Sequence, residues 1–288
     1  MKQNHPQPPA PTREEMVAAA LNEQGFMFAQ VVRDTVRFGV GGTGRPNEKW
    51  RSLTTELPVT ASDQSQTRVD LILKHNTAQG VYLCVECKRA NPLYKQWVFF
   101  DKTTQDPAAQ WYFEYFQASR RPTVSAGDAV HAIQQAPKRS GCEIFNLYLE
   151  VAVKRDGKSG HTQTIEDAFL QVTKGQSGLM AKLVRFINEF VIKAIPVVVT
   201  TAELFEARFD IHKVPLASGE IDSKHLKLVP LEFCAVNYHP EDAVTTKSPH
   251  VIEANNLESD ILKHTRTVFV VQSQSVIKFL DWLAANVG

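Results

Sequence analysis

Cysteine is scarce: Cys84, Cys87, Cys142 and Cys234 are the four in 288 residues. That number does not build a disulfide scaffold. The N-terminal stretch "MKQNHPQPPAPTREE" is polar and proline-rich and lacks the apolar segment of a secretory leader. Reduced thiols, a cytoplasmic setting and a disordered tail over 1–11 are therefore expected. Nowhere does an apolar run reach the ~20 residues of a membrane span, so no membrane partner is expected. Neither sign of charge dominates, with 32 Lys and Arg against 31 Asp and Glu and a formal net charge of +1. Bulk charge thus gives no sign of a nucleic-acid binder, although a local basic groove would suffice for one. Internal repeats and long low-complexity segments are also missing. What remains is ordinary globular material, 43% hydrophobic and 22% charged, enough for one large domain or two small ones.

Hydrophobic periodicity gives the coarse organisation. Residues 12–24 read as a helix, with Thr12 and Glu15 as a capping box, Val17, Ala20 and Leu21 as its apolar stripe and Gly25 as its stop. "FMFAQVV" reads as a strand and "RFGVGGTGRPNEKWRS" as a loop. "QTRVDLILKH" and "GVYLCVECKRA" are two strands joined by a short polar turn. Within the stretch 91–163, "AAQWYFEYFQA" and "GDAVHAIQQA" read as helices and "EIFNLYLEVAVK" as a strand. Thr164 and Asp167 are positioned to cap a helix carrying Ile165, Ala168, Phe169 and Val172. "KGQSG" is expected to break it before a second helix carrying Leu179, Leu183, Phe186, Ile187 and Phe190. A strand, a turn and a strand follow in "AIPVVVTTAELFEARFDI", then a strand "TVFVV" and a helix "SVIKFLDWLAANV". The expected class is a mixed α/β fold.

Two motifs carry less than their patterns promise. "GVGGTG", Gly39 to Gly44, fits G-x-G-x-x-G, but a dinucleotide site needs a helix to start immediately after it. "RPNEKW" has no apolar period, so the glycines read as a loop. Cys84 and Cys87 have the spacing of a zinc half-site, yet no second pair follows. Three apart on a strand, they face opposite ways, and buried apolar thiols are expected.

The chemistry gathers on the two adjacent strands. Glu86 and Lys88 are two apart on an otherwise apolar strand, so they share a face. A hairpin turning near residues 77–79 pairs Asn76 with Gly80, and outward from there Asp70 stands opposite Glu86. Cross-strand neighbours have Cβ atoms ~4.5–5.5 Å apart, and a slip of one residue sends Asp70 to the other face. Two carboxylates that close repel, the more so when buried. A divalent cation removes the conflict, and oxygen ligands suit Mg²⁺ or Mn²⁺. Lys88 is then positioned to orient an attacking water or to stabilise charge on a phosphorane. The competing reading is a pair of surface ion pairs worth little.

"RVDLIL" followed by "YLCVECKRA" resembles the two signature strands of the PD-(D/E)XK nuclease superfamily. The resemblance implies a restriction-endonuclease-like fold. Its mixed central sheet is flanked by helices in the order αβββαβ, here with a large insertion at about 91–163. It implies Asp70 and Glu86 as metal ligands, Lys88 as the catalytic lysine and Mg²⁺ (or Mn²⁺) as cofactor. "EEMVAAALNEQGF" is similar to the first helix of archaeal-type Holliday-junction resolvases, which places Glu14 at an early auxiliary glutamate; Glu15 is the neighbouring alternative, with its own capping role. Some members carry a following glutamine; Gln171 on the helix is a candidate for it, beside its reading as a surface residue. Val69 stands where the name-giving proline would be. The likeness covers 12–90 and, more loosely, 164–210. It implies a core over 12–210 and a C-terminal α/β extension over 211–288.

The expected activity is metal-dependent hydrolysis of DNA phosphodiesters, as an endonuclease in defence or repair, with a homodimer as one possible state. The alternatives are a non-cleaving nucleic-acid-binding or assembly module and a nuclease acting on RNA. Basic pairs (Arg120 and Arg121, Lys138 and Arg139, Lys154 and Arg155, with Lys158) interleave with Trp97, Phe99, Phe100, Trp111 and Tyr112. They either line a groove for nucleic acid or divide into core aromatics and solvated loop ends.

Overall fold

The structure is a computed structural model that describes residues 11–23, 26–39, 41, 46–61, 64–90, 96–102, 110–117, 130–137, 141–151, 160–161, 163–186, 191–239 and 265–287. Two helices open the chain, α1 (Arg13–Glu23) and α2 (Phe26–Phe38). Eight strands follow: β1 (Trp50–Thr60), β2 (Gln66–His75), β3 (Val81–Lys88), β4 (Gln96–Lys102), β5 (Gln110–Gln117), β6 (Val130–Pro137), β7 (Ile144–Val151) and β8 (Gly160–His161). Then come α3 (Gln163–Phe186), β9 (Val191–Thr200), β10 (Glu203–Arg208), β11 (Lys227–Leu231), β12 (Phe233–Tyr238), β13 (Arg266–Gln272) and α4 (Val276–Asn286). The class is mixed α/β, as expected. No helix among the described residues is long and apolar enough to cross a membrane.

One mixed sheet holds the thirteen strands of the described residues. Its order is β1-β2-β3-β9-β13-β12-β7-β4-β10-β11, with β5 on β9 and β6, and β8 on β7. The centre is β9, "VIKAIPVVVT", a nearly continuous apolar run of the kind that parallel strands buried on both faces require. One edge of β9 runs parallel to β3. The other pairs with β5 at Val191–Ala194 and with β13 at Val197–Thr200. Pro196, which has no ladder donor, stands between those two stretches. The segment expected as a C-terminal extension supplies β12 and β13 to the middle of this sheet. The insertion supplies β4 and β7 to it as well. The outermost strands, β1 and β11, each contain a proline, Pro58 and Pro230.

Helices cover both faces. On one, Ala29, Val32 and Val36 of α2 and Val276, Phe279, Leu280 and Leu283 of α4 join Leu71, Leu83, Val85 and Val197 in one apolar cluster. On the other, Ile165, Ala168, Phe169, Val172 and Leu179 of α3 pack over Ile72, Tyr82, Cys84 and Val198. The aromatics divide accordingly: Trp97, Phe99 and Trp111 are buried core residues, whereas Phe100 and Tyr112 are half-buried. The basic residues at 120, 121, 138, 139, 154, 155 and 158 lie outside the described residues, as does the expected tail at 1–10.

Several local expectations are overturned. "FMFAQVV" is helical and not a strand, because its spacing at Ala29, Val32 and Val36 is that of a helix laid on a sheet. The first strand is instead β1, which begins at the end of the stretch read as loop and runs through residues to which the sequence reading assigns no element. Residues 110–117 and 130–137 form an antiparallel pair and not two helices. Trp111 and Phe113, two apart, both point into the core, which is a strand period. The α1 capping box is present: Thr12 N–H donates to Glu15 Oε2 at 2.7 Å and Glu15 N–H to Thr12 Oγ1 at 3.2 Å. Its apolar stripe does not face a core, however, with Val17 51% and Leu21 43% exposed. Of the glycine loop only Gly39 and Gly41 are described; Gly39, with φ +74°, follows the end of α2, and Gly42 and Gly44 lie outside the described residues.

The "KGQSG" stretch does not interrupt α3, which runs unbroken for 24 residues. Its glycines serve packing. A Cβ at Gly178 would lie 2.7 Å from Val59 Cβ, and one at Gly175 would lie 3.1 Å from Cys84 Sγ and from Val69 Cγ2. The helix backbone therefore rests directly on β1, β2 and β3. Helix propensity alone favours alanine over glycine by ~1 kcal/mol. Here the clash is expected to win. Gly178→Ala should destabilise the chain by about 1–3 kcal/mol, as overpacking does. Gly175→Ala should cost less. Denaturant melts of both variants check this; equal or raised stability for Gly178→Ala would show that the helix does not sit so close.

Candidate functional site

The hairpin register is the one that the turn implies. Leu71 pairs with Val85, Ile72 with Cys84, Leu73 with Leu83 and Lys74 with Tyr82. One step outward, Asp70 stands opposite Glu86. The backbone pairing ends there, and the Asp70 carboxylate takes over: Cys87 N–H donates to Asp70 Oδ2 at 2.8 Å. Alternation along β3 puts Glu86 and Lys88 on the face of Tyr82 and Cys84, under α3. Cys87 turns the other way, into the cluster beneath α2 and α4, so Cys84 and Cys87 face opposite sides.

Lys88 binds on two sides. Its Nζ lies 3.4 Å from Glu86 Oε1 and donates to Gln171 Oε1 at 2.6 Å. Gln171 is thus part of the arrangement, brought over the strand by the close seat of α3. The exit of β3 is fixed as well, since Thr201 N–H donates to Lys88 O and Ala90 N–H to Thr201 Oγ1.

Burial decides the electrostatics. Glu86 is only 7% exposed and Asp70 is half-buried. Burial pushes Asp70 from its ordinary 3.8 up to about 6; the Cys87 N–H and Lys88 pull it back, while Glu56 pushes it further. Burial likewise raises Glu86 from 4.5 to about 8, with Asp70 adding repulsion, Lys88 offsetting part of it and Glu56 adding a little more. Water is too remote, and Lys88 too little, to make two neighbouring charges comfortable.

Glu56 has no counterpart in the sequence reading. It lies on β1 between the pairs Thr55–Leu71 and Leu57–Val69, which sets it across from Asp70 on the side away from Glu86. A row of three carboxylates therefore crosses β1, β2 and β3. No motif marks the first of them, because β1 itself has no clear strand pattern. Glu14 is not joined to the group. It lies exposed in the first turn of α1. The helix packed on the sheet is α2, and α1 contributes no residue to that cluster. Among the described residues, no three His, Cys, Asp or Glu side chains form a group able to hold a metal unaided. Asp70 and Glu86 thus form a two-carboxylate set, which suits an ion that keeps water and substrate oxygens as its other ligands.

The raised carboxylates have a signed consequence for the metal-free chain. Between the ordinary values of 3.8 and 4.5 and the folded values of about 6 and about 8, the folded chain holds protons that the unfolded chain has released. Stability contributed by these groups is complete below the ordinary values and is lost as pH rises through the folded ones. In EDTA, the wild-type Tm should fall across that window. Glu86→Gln should flatten the fall and exceed wild type in Tm above about pH 8. Thermal melts against pH measure it; a Glu86→Gln profile parallel to wild type would contradict the burial and pairing described here. No protein-family model, no curated protein and no solved structure matches this chain.

Proposed function

We propose that this chain is a divalent-cation-dependent phosphodiester hydrolase acting on nucleic acid, with DNA the expected substrate, of the PD-(D/E)XK kind. The observation that supports the reading is the pair of cross-strand carboxylates beside Lys88, both held above their ordinary protonation range chiefly by burial. Asp70 and Glu86 would hold Mg²⁺ or Mn²⁺, which would supply Lewis-acid polarisation of a phosphoryl oxygen and a more acidic bound water.

The chain's own residues supply the rest. The Cys87 N–H fixes one Asp70 oxygen and leaves the other for a ligand. An ammonium carries three donors. Glu86 and Gln171 occupy two of those of Lys88, and the third is available to an attacking water or to a phosphoryl oxygen gaining charge. Gln171, although exposed, limits the swing of the lysine through this hydrogen bond, a positioning task.

The test is a substrate panel of supercoiled plasmid, linear duplex, single-stranded and branched DNA and RNA, with Mg²⁺, Mn²⁺ or EDTA. Cleavage should require the cation. Asp70→Asn, Glu86→Gln and Lys88→Ala should each lower the rate on the order of 10²-fold or more. Gln171→Ala should lower it about tenfold, the range of groups that orient others. Glu14→Gln should leave it unchanged. An uncut panel with either cation would sink the hydrolase and leave a binding module on the same scaffold.

A further inference from the structure

Glu56 stands where two irregularities of β1 combine. From Trp50 to Ser52 the strand pairs with β2 in one register; from Thr54 onward it is shifted by one residue, across a bulge. Without that extra residue, Thr55 would face Asp70. With it, Glu56 does. Bulges re-aim side chains, often beside active sites. The backbone at Glu56 is also left-handed, with φ +52°, a conformation that glycine or asparagine adopts with less strain. A glutamate occupies it nonetheless, half-buried and the one acidic residue of β1. Its charge reaches three groups on two other strands: Asp70, Glu86 and Cys87.

We infer that Glu56 is a positioning residue of the cation site, a third negative charge that draws a divalent ion to Asp70 and Glu86 without completing a ligand triad. The inference rests on the hydrolase reading of that site. Register separates the role from ligation by the pair: Glu56 stands across from Asp70 on the side away from Glu86. Charge separates it from a purely structural one. A side chain kept only to stabilise the bulge has no reason to be acidic beside two other acids, because each added charge worsens repulsion in the empty chain. A bound cation reverses the sign of that contribution.

Isothermal titration with Mn²⁺ at one fixed pH tests it, on wild type, Glu56→Gln, Glu56→Gly and Asp70→Asn, with circular dichroism to confirm folding. Glu56→Gln should weaken Mn²⁺ binding about tenfold, the size expected for one charge a few ångströms away in a partly solvated site. Glu56→Gly should weaken it by the same factor while raising Tm in EDTA, since glycine relieves the left-handed backbone and removes the charge. Equal affinity losses from variants with different backbone consequences identify the charge as the cause. Asp70→Asn should abolish binding. Wild-type affinity in Glu56→Gln, with binding lost in Asp70→Asn, would overturn the role of Glu56 alone. Wild-type affinity in Asp70→Asn would overturn the cation site itself and this inference with it.

Discussion

Repulsion between acids that the fold does not let apart is the constraint on which this molecule turns. The β2–β3 hairpin places Asp70, half-buried, opposite Glu86, which is buried. A sheet would ordinarily avoid such a pair, since like charges directly across from one another destabilise it. The surroundings respond to it. Backbone pairing yields to a side-chain acceptor at Asp70, Lys88 leans on Glu86, and α3 delivers Gln171 to hold the lysine. None of these removes the conflict. That unresolved tension is what a hard cation fits, and it separates this arrangement from a surface ion pair.

The rest of the fold keeps the tension from relaxing. β3 is bounded by β2 on one side and by β9, itself a largely buried strand, on the other. Apolar clusters press on both faces, so β3 has nowhere to rotate. The seat of α3 matters most. Because Gly175 and Gly178 remove side chains at the contact, the helix approaches the strands closely enough for Gln171 to reach across to Lys88. A helix held off by ordinary side chains would leave the lysine to solvent.

Legibility in the sequence followed how local the determining interactions are. The β2–β3 hairpin was readable because alternation, a short turn and β-branched residues agree, and its register placed Asp70 and Glu86 correctly opposite each other. β1 was not, since a bulge, a proline and a run of threonine and glutamate blur its period, and Glu56 stayed hidden with it. α2 carries Phe, Met and Val, which suit strands as well as helices, and only the sheet below selects the helix. The "KGQSG" glycines read as a breaker because a close contact with Val59 is visible only in three dimensions. Glu14 was assigned by likeness to a helix, and two consecutive helices left that likeness attached to the first. Trp111 and Phe113 sit in a stretch whose alanines and glutamines favour a helix until β9 supplies a partner edge.

The two prolines at the borders of the sheet, Pro58 and Pro230, bear on how copies of the molecule meet. An unguarded outer strand offers a ladder of donors and acceptors to any extended chain, and proline deletes a rung. β1 is further bent by its bulge, and β11 brings Lys227 to the opposite margin. Accretion of further strands along these two margins is thereby disfavoured.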